Sequence, residues 1–367
     1  MHLIFLQRLD QAGGGSRASL RGTLRALRDE APDWDLTIVT GQAGPLSREV
    51  TGWGVGHRVA ELPRFRKIWE RPEFWWRCRA LAGLLGERSP DGILSNEWVT
   101  APHALAVGRR LRIPAMSYVR DFAAVRRGRK YQLQRMDRLL CVCESMRQGL
   151  IGAGYDPAKV CTVYNPILRP PDGAADEEAR GRLLRAPPMD HWLLYLGRIS
   201  SRKNQIAAVE TLKVLREQSG RRWGLLLAGD ADEDYAAEVG RAAEQAGLAA
   251  AVVRLGLVAN PGWLFKLADA SVLTSRSEGL ARVLIESLLC GTPAFSYPLE
   301  GLRDVYGDAS STFVATQRQP ADLAATVLSA LAGGDELRQR TERLGRMLEA
   351  RHSVRCHVEA FARAIRT

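Results

Sequence analysis

Apolar residues fall into short continuous runs that alternate with longer stretches in which they return every three or four positions. A short continuous run is typical of a strand buried on both faces, and the spaced pattern is typical of a helix that packs on one face. The predicted strands lie at residues 3–6, 36–39, 93–96, 114–119, 139–143 and 160–163, and then at 192–196, 224–228, 251–255, 271–273 and 294–297. Strands that alternate with helices in this way predict an α/β fold built on parallel sheets.

Clusters of proline separate the two halves of this pattern. Pro166, 170–171 and 187–188 flank an acidic segment, and such a shift in composition marks a domain boundary. A chain of 367 residues is also long enough for two domains of roughly 150–200 residues. We therefore expect a first domain, a linker, a second domain and a final helical stretch, at residues 1–165, 166–190, 191–350 and 351–367. Residues 41–56 are expected to form a glycine-rich loop.

The positive charge of the chain is concentrated in its first half. Of the net charge of +11, residues 1–165 carry 26 Lys or Arg against 16 Asp or Glu, which gives +10, and residues 166–367 carry 26 against 25, which gives +1. An excess of this size indicates that the first domain meets an anionic partner or lies beside an anionic surface.

The sequence also predicts the compartment of the protein. No apolar run approaches the ~20 residues of a membrane span, and the start lacks the basic segment and long apolar middle of a signal peptide. The six cysteines show no disulfide framework and no metal-ligand spacing, which favours free thiols in a reducing cytosol. We therefore expect a cytoplasmic protein.

Residues 64–88 interleave Arg and Lys with Trp and Phe. This mixture is the composition of a helix that lies in a membrane interface. It is equally typical of an ordinary helix with aromatic core contacts and a solvated basic face. Single-stranded nucleic acid or a protein partner is a third reading, but no nucleic-acid module accompanies the stretch, and we expect no nucleic-acid partner. If the first reading holds, the protein is peripheral at the inner face of the cell membrane.

A glycine run follows the first predicted strand. Gly13, Gly14 and Gly15 lead from that strand into a helix, which is a geometry for approaching a phosphate without obstruction by a Cβ atom. The dinucleotide fingerprint G-x-G-x-x-G is not satisfied, and an ordinary turn is the alternative. Gly14 and Gly15 are therefore candidate ligand-binding residues.

The most informative stretch is residues 270–293. A strand ends in hydroxyl residues, a turn contains Glu278, a helix carries Glu286, and Gly291 and Pro293 stop the helix. The two carboxylates are separated by roughly 12 Å along the helix, and a helix N-terminus suits a phosphate. A nucleotide sugar has the matching layout, with ribose hydroxyls at one end, a diphosphate in the middle and sugar hydroxyls at the other end.

This stretch resembles the retaining glycosyltransferases of family 4. The resemblance rests on Glu278-x7-Glu286 followed by Cys290-Gly291-Thr292-Pro293, and it implies the GT-B fold, with two Rossmann-like domains facing across an interdomain cleft and a last helix that returns toward the first domain. The first domain would then bind the acceptor and the second the nucleotide-sugar donor.

The family's motifs carry over to particular residues. Gly197-Arg198-x4-Lys203 resembles the diphosphate clamp, in which the two cations stabilise negative charge on the leaving nucleotide. The resemblance implies that Glu278 holds sugar hydroxyls and Glu286 holds ribose hydroxyls. The other implied donor contacts are the backbone of Leu280, Ala281 and Arg282 beside the phosphate, and Gly229 and Val258 beside the base. Ala281 departs from the family by replacing a glycine.

A second departure follows the strand at 114–119. Many members of the family have His or His-Asp where this chain has Arg120 and Asp121. We count Asp121 among the catalytic candidates and Arg120 as a contact of the acceptor or sugar.

The resemblance implies a retaining, metal-independent transfer of a sugar from a nucleotide-diphosphate sugar to a hydroxyl, with no metal or other cofactor. No carboxylate pair of the glycosidase kind is evident, so we expect attack from the front face. The expected acceptor is a glycolipid or polysaccharide precursor of the cell envelope, such as lipopolysaccharide. The alternatives are a small soluble or natural-product acceptor, a catalytically silent scaffold of the same fold, and an oxidoreductase that uses the glycine run.

Overall fold

The structure is a computed structural model that describes residues 1–10, 15–63, 71–171, 173 and 176–366. The chain forms two compact units. The first contains Met1–Pro166 together with His352–Thr367, and the second contains Ile167–Arg351.

Each unit is built on one parallel sheet in the part of the chain that the structure describes. The strands of the first unit are β1 His2–Gln7, β2 Asp35–Thr40, β3 Gly56–Val59, β4 Gly92–Ser95, β5 Ala115–Val119, β6 Arg138–Cys141 and β7 Val160–Thr162. Those of the second are β8 His191–Leu196, β9 Trp223–Ala228, β10 Val252–Gly256, β11 Ala270–Leu273 and β12 Ala294–Ser296. The strand orders are β3-β2-β1-β4-β5-β6-β7 and β10-β9-β8-β11-β12.

Helices connect the strands. They are α1 Gly15–Glu30, α2 Pro45–Thr51, α3 Arg71–Gly86, α4 Ala101–Leu111, α5 Ala123–Arg127, α6 Glu144–Gly152, α7 Glu177–Leu184, α8 Gln205–Ser219, α9 Glu233–Gln245, α10 Gly262–Leu267, α11 Arg282–Leu289, α12 Arg303–Tyr306, α13 Ser310–Phe313, α14 Pro320–Ala332, α15 Asp335–Arg351 and α16 Val354–Arg366.

The apolar runs become strands because both faces of each sheet are covered. All six residues of β1 are buried, and α1 contributes Leu20, Leu24 and Leu27 from a single face. In the last helix, Phe361 is fully buried, and its ring centroid lies 6.3 Å from those of Phe5 and Tyr118. The α/β class and the two Rossmann-like sheets predicted from the sequence are confirmed.

The strand order determines where a ligand can dock. In each sheet the order reverses between two neighbouring strands, β1 and β4 in the first unit and β8 and β11 in the second. Connections leave such a pair toward opposite faces, so a crevice opens beyond the carboxyl ends of the two strands. The segments that follow β1, β4, β8 and β11 are therefore the places to look for a site.

One expectation about a loop is wrong. Residues 41–56, expected to be a glycine-rich loop, contain the helix α2 and lead into the strand β3. The helix begins with Pro45, and Asp10 caps it, because its carboxylate accepts the backbone N–H groups of Leu46 at 2.8 Å and Ser47 at 3.0 Å. A cap supplied by a residue this distant in sequence is invisible in the local pattern.

The predicted linker also contains regular structure. The helix α7 lies inside residues 166–190, and Asp176 caps it by accepting the N–H groups of Glu178 and Ala179. Ala179 is buried in an apolar cluster with Leu226 and Phe265. The proline clusters gave this stretch the composition of a linker, although the capping residue and the acidic first turn were readable from the sequence.

Candidate active site

The segment that follows β8 is held in a fixed conformation by its own backbone and by one buried side chain. Gly197 has a φ of +149° and donates its N–H to the carbonyl of Ala228 at 2.8 Å. The fully buried side chain of Gln205 accepts the N–H of Ser200 at 3.2 Å and donates to the carbonyl of Arg198 at 3.0 Å. Residues 198–204 therefore form an ordered platform at the carboxyl end of the strand.

Lys203 projects from this platform onto Glu278. Its Nζ lies 2.7 Å from Oε1 of the carboxylate, and the two side chains are only 13% and 9% exposed. The backbone beside them is fixed as well, because Thr274 donates its hydroxyl to the carbonyl of Asn204 at 2.7 Å. The ion pair joins the segments that follow β8 and β11, which is where the strand order of this sheet reverses.

A second cation lies beside the same carboxylate. Arg202 NH1 lies 3.5 Å from Oε2 of Glu278 and donates to the carbonyl of Ser277 at 2.8 Å. Its side chain is 55% exposed, so its attraction to the carboxylate is weakened by solvent. The sequence analysis did not single out Arg202, and its position next to Lys203 was the only signal for it.

Arg198 lies apart from this pair. Its side chain is 61% exposed, and its nearest carboxylate is Asp230, with 3.8 Å between Nε and Oδ2. An exposed pair at this distance holds the guanidinium only weakly. Arg198 is therefore able to turn toward a ligand, whereas Lys203 is already fixed in place.

Glu286 lies in the second turn of α11. Arg282 NH2 lies 3.2 Å from its Oε1, and the two side chains are 23% and 20% exposed. Just before the helix, Ala281 is buried and the N–H of Arg282 donates to the carbonyl of Leu280 at 2.8 Å. The N–H of Arg282 is therefore bonded within the turn, and the contact of the backbone of residues 280–282 with a phosphate stays a prediction.

The two remaining donor candidates follow β9 and β10. Gly229 has a φ of +145° and donates its N–H to the carbonyl of Gly256 at 2.7 Å. The side chain of Val258 is buried in an apolar cluster with Leu255 and Leu264. Val258 can therefore offer a ligand only its backbone.

The close approach of Gly229 to Gly197 leads to a prediction about stability. A Cβ atom on Gly229 would lie 2.4 Å from the carbonyl oxygen of Gly197, and alanine tolerates this φ poorly. We expect Gly229→Ala to lower the free energy of unfolding by roughly 3 kcal/mol, measured by urea denaturation. Gly240→Ala is the matched control, since it lies inside α9 with open space around its Cβ position. It should raise stability by about 0.5–1 kcal/mol, and equal effects of the two substitutions would contradict the argument.

In the first unit, Arg120 is held by two buried amide side chains. It donates Nε and NH2 to Oδ1 of Asn96 at 3.0 and 2.7 Å, and NH1 to Oδ1 of Asn165 at 2.7 Å. Its Cζ atom lies 4.0 Å from the ring centroid of Tyr118. Asn96 in turn donates to Oε1 of Gln7 at 2.6 Å. The guanidinium therefore ties together the carboxyl ends of several strands, a role that the sequence analysis did not foresee.

Asp121 and Glu97 lie at the same edge of this sheet. Trp98 donates its indole N–H to Oδ2 of Asp121 at 3.0 Å, and Ser16 donates its hydroxyl to Oε1 of Glu97 at 2.6 Å. Sequence reasoning selected Asp121 but missed Asn96, Glu97 and Trp98. Their only signal was that Asn96 ends the predicted strand at 93–96 and that Glu97 and Trp98 directly follow it.

The glycine run after β1 is described only in part. Gly14 lies outside the described residues, and Gly15 is the first residue of α1. A Cβ atom at Gly15 would have no neighbour within 4 Å. The packing of the described residues around Gly15 therefore does not itself require glycine.

The described residues hold no cluster of three His, Cys, Asp or Glu side chains that could bind a metal ion. Over the same part of the chain, every helix is too short or too polar to cross a bilayer.

Two family models match this chain. The model "Glycosyltransferase Family 4" matches residues 13–167, and the model "Glycosyl transferases group 1" matches residues 178–347. Together they cover most of the sequence.

Individual relatives and structures agree with the family models. The chain is 32% identical to the 2-deoxystreptamine glucosyltransferase of Streptomyces kanamyceticus over 136 residues, which is 36% of this chain but only 34% of that relative. It is 25% identical to the D-inositol 3-phosphate glycosyltransferase of Segniliparus rotundus over 84% of this chain and 72% of that relative. The fold is similar to that of Anabaena HepE in complex with UDP and glucose, with a TM-score of 0.81, 16% identity, and coverage of 100% of this chain and 99% of that one. The chain therefore belongs to the glycosyltransferases of the family 4 type and has the GT-B fold.

Proposed function

We propose that this protein is a retaining, metal-independent glycosyltransferase that moves a sugar from a nucleotide-diphosphate sugar to a hydroxyl group. The observation that carries the proposal is the ion pair of Lys203 and Glu278, shielded from solvent where the strand order of the second sheet reverses. A fixed ammonium beside a fixed carboxylate offers one group to a phosphate and one to sugar hydroxyls.

The donor is held by groups of complementary charge. Lys203 and the more exposed Arg198 face the diphosphate, where their charge offsets the negative charge that grows as the nucleotide leaves. Glu278 accepts hydrogen bonds from sugar hydroxyls, and Glu286 accepts them from the ribose. In this scheme the cations supply the stabilisation that a metal ion supplies in other transferases.

Retention of configuration follows from attack on the face that the nucleotide leaves. The bond between the anomeric carbon and the phosphate oxygen breaks as the acceptor oxygen bonds to the same face of that carbon. The acceptor proton passes to the departing phosphate oxygen, so the step needs no protein base. Asp121, held by Trp98, is available to orient the acceptor hydroxyl.

The acceptor is proposed to be a glycolipid or polysaccharide precursor of the cell envelope, on the strength of the basic and aromatic first unit. A second candidate is a small polyhydroxylated ring in solution. It is supported by the relatives of this chain that act on 2-deoxystreptamine and D-inositol 3-phosphate.

The test of the proposal is a panel of UDP, GDP and ADP sugars. For each donor, thermal shift measures binding, and release of the nucleoside diphosphate measures turnover with and without acceptor. We expect one base to raise the melting temperature and to support release that rises on adding acceptor. An anomeric proton spectrum of the product then reads the configuration directly. The proposal fails if no donor in the panel binds or turns over.

Membrane contact through α3 is the proposed basis for an envelope acceptor. Residues 64–70 of the basic and aromatic stretch lie outside the described residues. In α3 itself, Phe74, Cys78 and Leu81 are buried, whereas Trp75 and Trp76 are 53% and 66% exposed. The helix thus combines core packing on one face with two exposed indole rings, which favour an interface between water and lipid.

We expect the double variant Trp75→Ala/Trp76→Ala to bind phosphatidylglycerol vesicles roughly tenfold more weakly than the wild type, because each exposed ring loses apolar area that the bilayer would bury. Vesicle flotation measures the bound fraction. Leu257→Ala is the control, since Leu257 is 71% exposed but lies in the second unit. Equal flotation of the wild type and the double variant would remove membrane contact through α3.

A further inference from the structure

A pocket in the first unit lies far from the residues discussed so far. It has a volume of about 530 Å³ and is formed by the end of α4, the starts of β5 and β6, the turn before β6, Lys159 and Ile365 of α16. β5 runs from this pocket, at Ala115, to Arg120 at the other edge of the sheet. Five residues of strand span roughly 16 Å, so a ligand in the pocket does not reach the edge that carries Arg120 and Asp121.

The pocket is strongly basic. Among the residues that the structure describes, its lining includes five cationic side chains and a single carboxylate, that of Asp137. The cations are Arg109, Arg112, Arg135, Arg138 and Lys159. The carboxylate accepts the backbone N–H of Ala115 at 2.8 Å through Oδ2, so it is partly engaged in fixing the start of β5.

The cations of the pocket form no ion pair within the part of the chain that the structure describes. Among the described residues, none of the five lies within 4 Å of a carboxylate oxygen. The guanidinium of Arg135 donates to the side-chain amide oxygen of Gln132 at 3.4 Å, and that of Arg138 donates to the carbonyl of Asp137 at 3.0 Å. The dipole of α4 accounts for Arg109 at its carboxyl end, but it does not account for cations at the starts of β6 and β7.

Arg112 adds a conformational observation. It follows the last residue of α4 with a φ of +58°, a position that glycine or asparagine normally occupies. An arginine held in this conformation costs stability, and the residue lines the pocket.

The geometry points to a site for a phosphate ester. A guanidinium group can bind two oxygens of one phosphate with two parallel hydrogen bonds. The volume of the pocket also lies within the ~300–1,000 Å³ typical of small-molecule sites. Leu105, Ile113 and Met116 give the pocket an apolar wall beside its cations. The ligand therefore combines a phosphate with an organic portion, as a soluble phosphate ester or the headgroup of an anionic lipid does.

The test compares the wild type with Arg112→Gly/Arg138→Gln and with the control Arg110→Gln. Arg110 is an exposed neighbour on α4 that does not line the pocket. Glycine suits the φ of residue 112, so Arg112→Gly alone is the fallback if the double variant does not fold. Calorimetry measures binding of sn-glycerol 3-phosphate. Co-sedimentation measures binding to phosphatidylglycerol and phosphatidylcholine vesicles, in the Trp75→Ala/Trp76→Ala background so that α3 does not contribute.

We expect saturable binding that weakens at least tenfold in the double variant and less than twofold in Arg110→Gln. If glycerol 3-phosphate shows this pattern, the ligand is a soluble ester. If only phosphatidylglycerol vesicles show it, the ligand is a lipid headgroup. The site is disproved if neither probe binds saturably, or if Arg110→Gln loses as much affinity as the double variant.

Discussion

Replacing Lys203 by alanine is expected to lower the rate of sugar transfer by about 100- to 1,000-fold, the usual cost of removing one fixed group that stabilises charge in a transition state. The ammonium is already positioned, since its Nζ lies 2.7 Å from Glu278 and is shielded from solvent. A charge held in place before the reaction needs no reorganisation when the phosphate leaves. The measurement is the turnover number at saturating donor and acceptor, with the donor found in the nucleotide-sugar panel.

Arg202→Ala is the matched control for this prediction. Arg202 is also a cation beside Glu278, but it is 55% exposed and its nearest oxygen of that carboxylate is 3.5 Å away. We expect its removal to lower the turnover number less than tenfold, because solvent screens its charge. If the two variants lose activity equally, only the total positive charge matters and the position of Lys203 does not.

Loss of Lys203 also leaves the carboxylate of Glu278 shielded and without its main partner. Breaking such a pair from one side costs about 3 kcal/mol of stability, so a fall in rate has to be separated from unfolding. The double variant Lys203→Met/Glu278→Gln removes both charges and should recover most of the stability without recovering turnover. A double variant with the activity of the wild type would contradict the assignment of either residue to the reaction.

Much of the fold follows from local patterns in the sequence. Each predicted strand is present, because a sheet covered on both faces needs continuous apolar runs, and these are easy to recognise. The features of the fold that could not be predicted from the sequence depend on contacts between distant residues. The helix α2 begins at Pro45, which is a local signal, but the carboxylate that caps it belongs to Asp10, and that contact is not visible in either segment alone.

In the candidate site, too, individual residues could be predicted from the sequence, whereas contacts between distant residues could not. Lys203 and Glu278 could be selected separately, because each belongs to a motif that follows a strand. Their direct contact could not be predicted, since it depends on β8 and β11 being neighbours in the sheet. For Arg120, the sequence could not reveal the partners that hold its guanidinium, Asn96 and Asn165, because both are remote in sequence. Its contact with the acceptor or sugar stays a prediction.

A second large effect is expected from acid, through two buried histidines of the first unit. Burial lowers the pKa of His103 to about 4, and it lowers the pKa of His357 to about 4 with a further contribution from the charge of Arg120. His357 donates Nδ1–H to the carbonyl of Tyr164 at 2.7 Å, and this bond favours the charged ring, but the effect of burial is larger and keeps the ring neutral. An exposed histidine in the unfolded chain has a pKa near 6.5.

The sign of the effect follows from these values. Above pH 6.5 both rings are neutral in the folded and unfolded states, and the full stability is present. Between pH 6.5 and 4 the unfolded chain binds protons that the folded unit does not bind, so stability is lost as the pH falls. In this range each histidine lowers the free energy of unfolding by about 1.4 kcal/mol for every pH unit. At pH 4 the loss amounts to roughly 3 kcal/mol per histidine.

Urea denaturation at pH 7 and at pH 4.5 measures this loss, and substitutions separate it from the titration of carboxylates. His103→Phe and His357→Gln should each reduce the difference in unfolding free energy between the two pH values by roughly 2–3 kcal/mol. Phenylalanine keeps a ring against Phe74, whose centroid lies 4.7 Å from that of His103. His57→Gln is the control, because His57 is only partly buried and its pKa is lowered less by burial. If all three variants keep the pH dependence of the wild type, the buried rings are not what makes the first unit sensitive to acid.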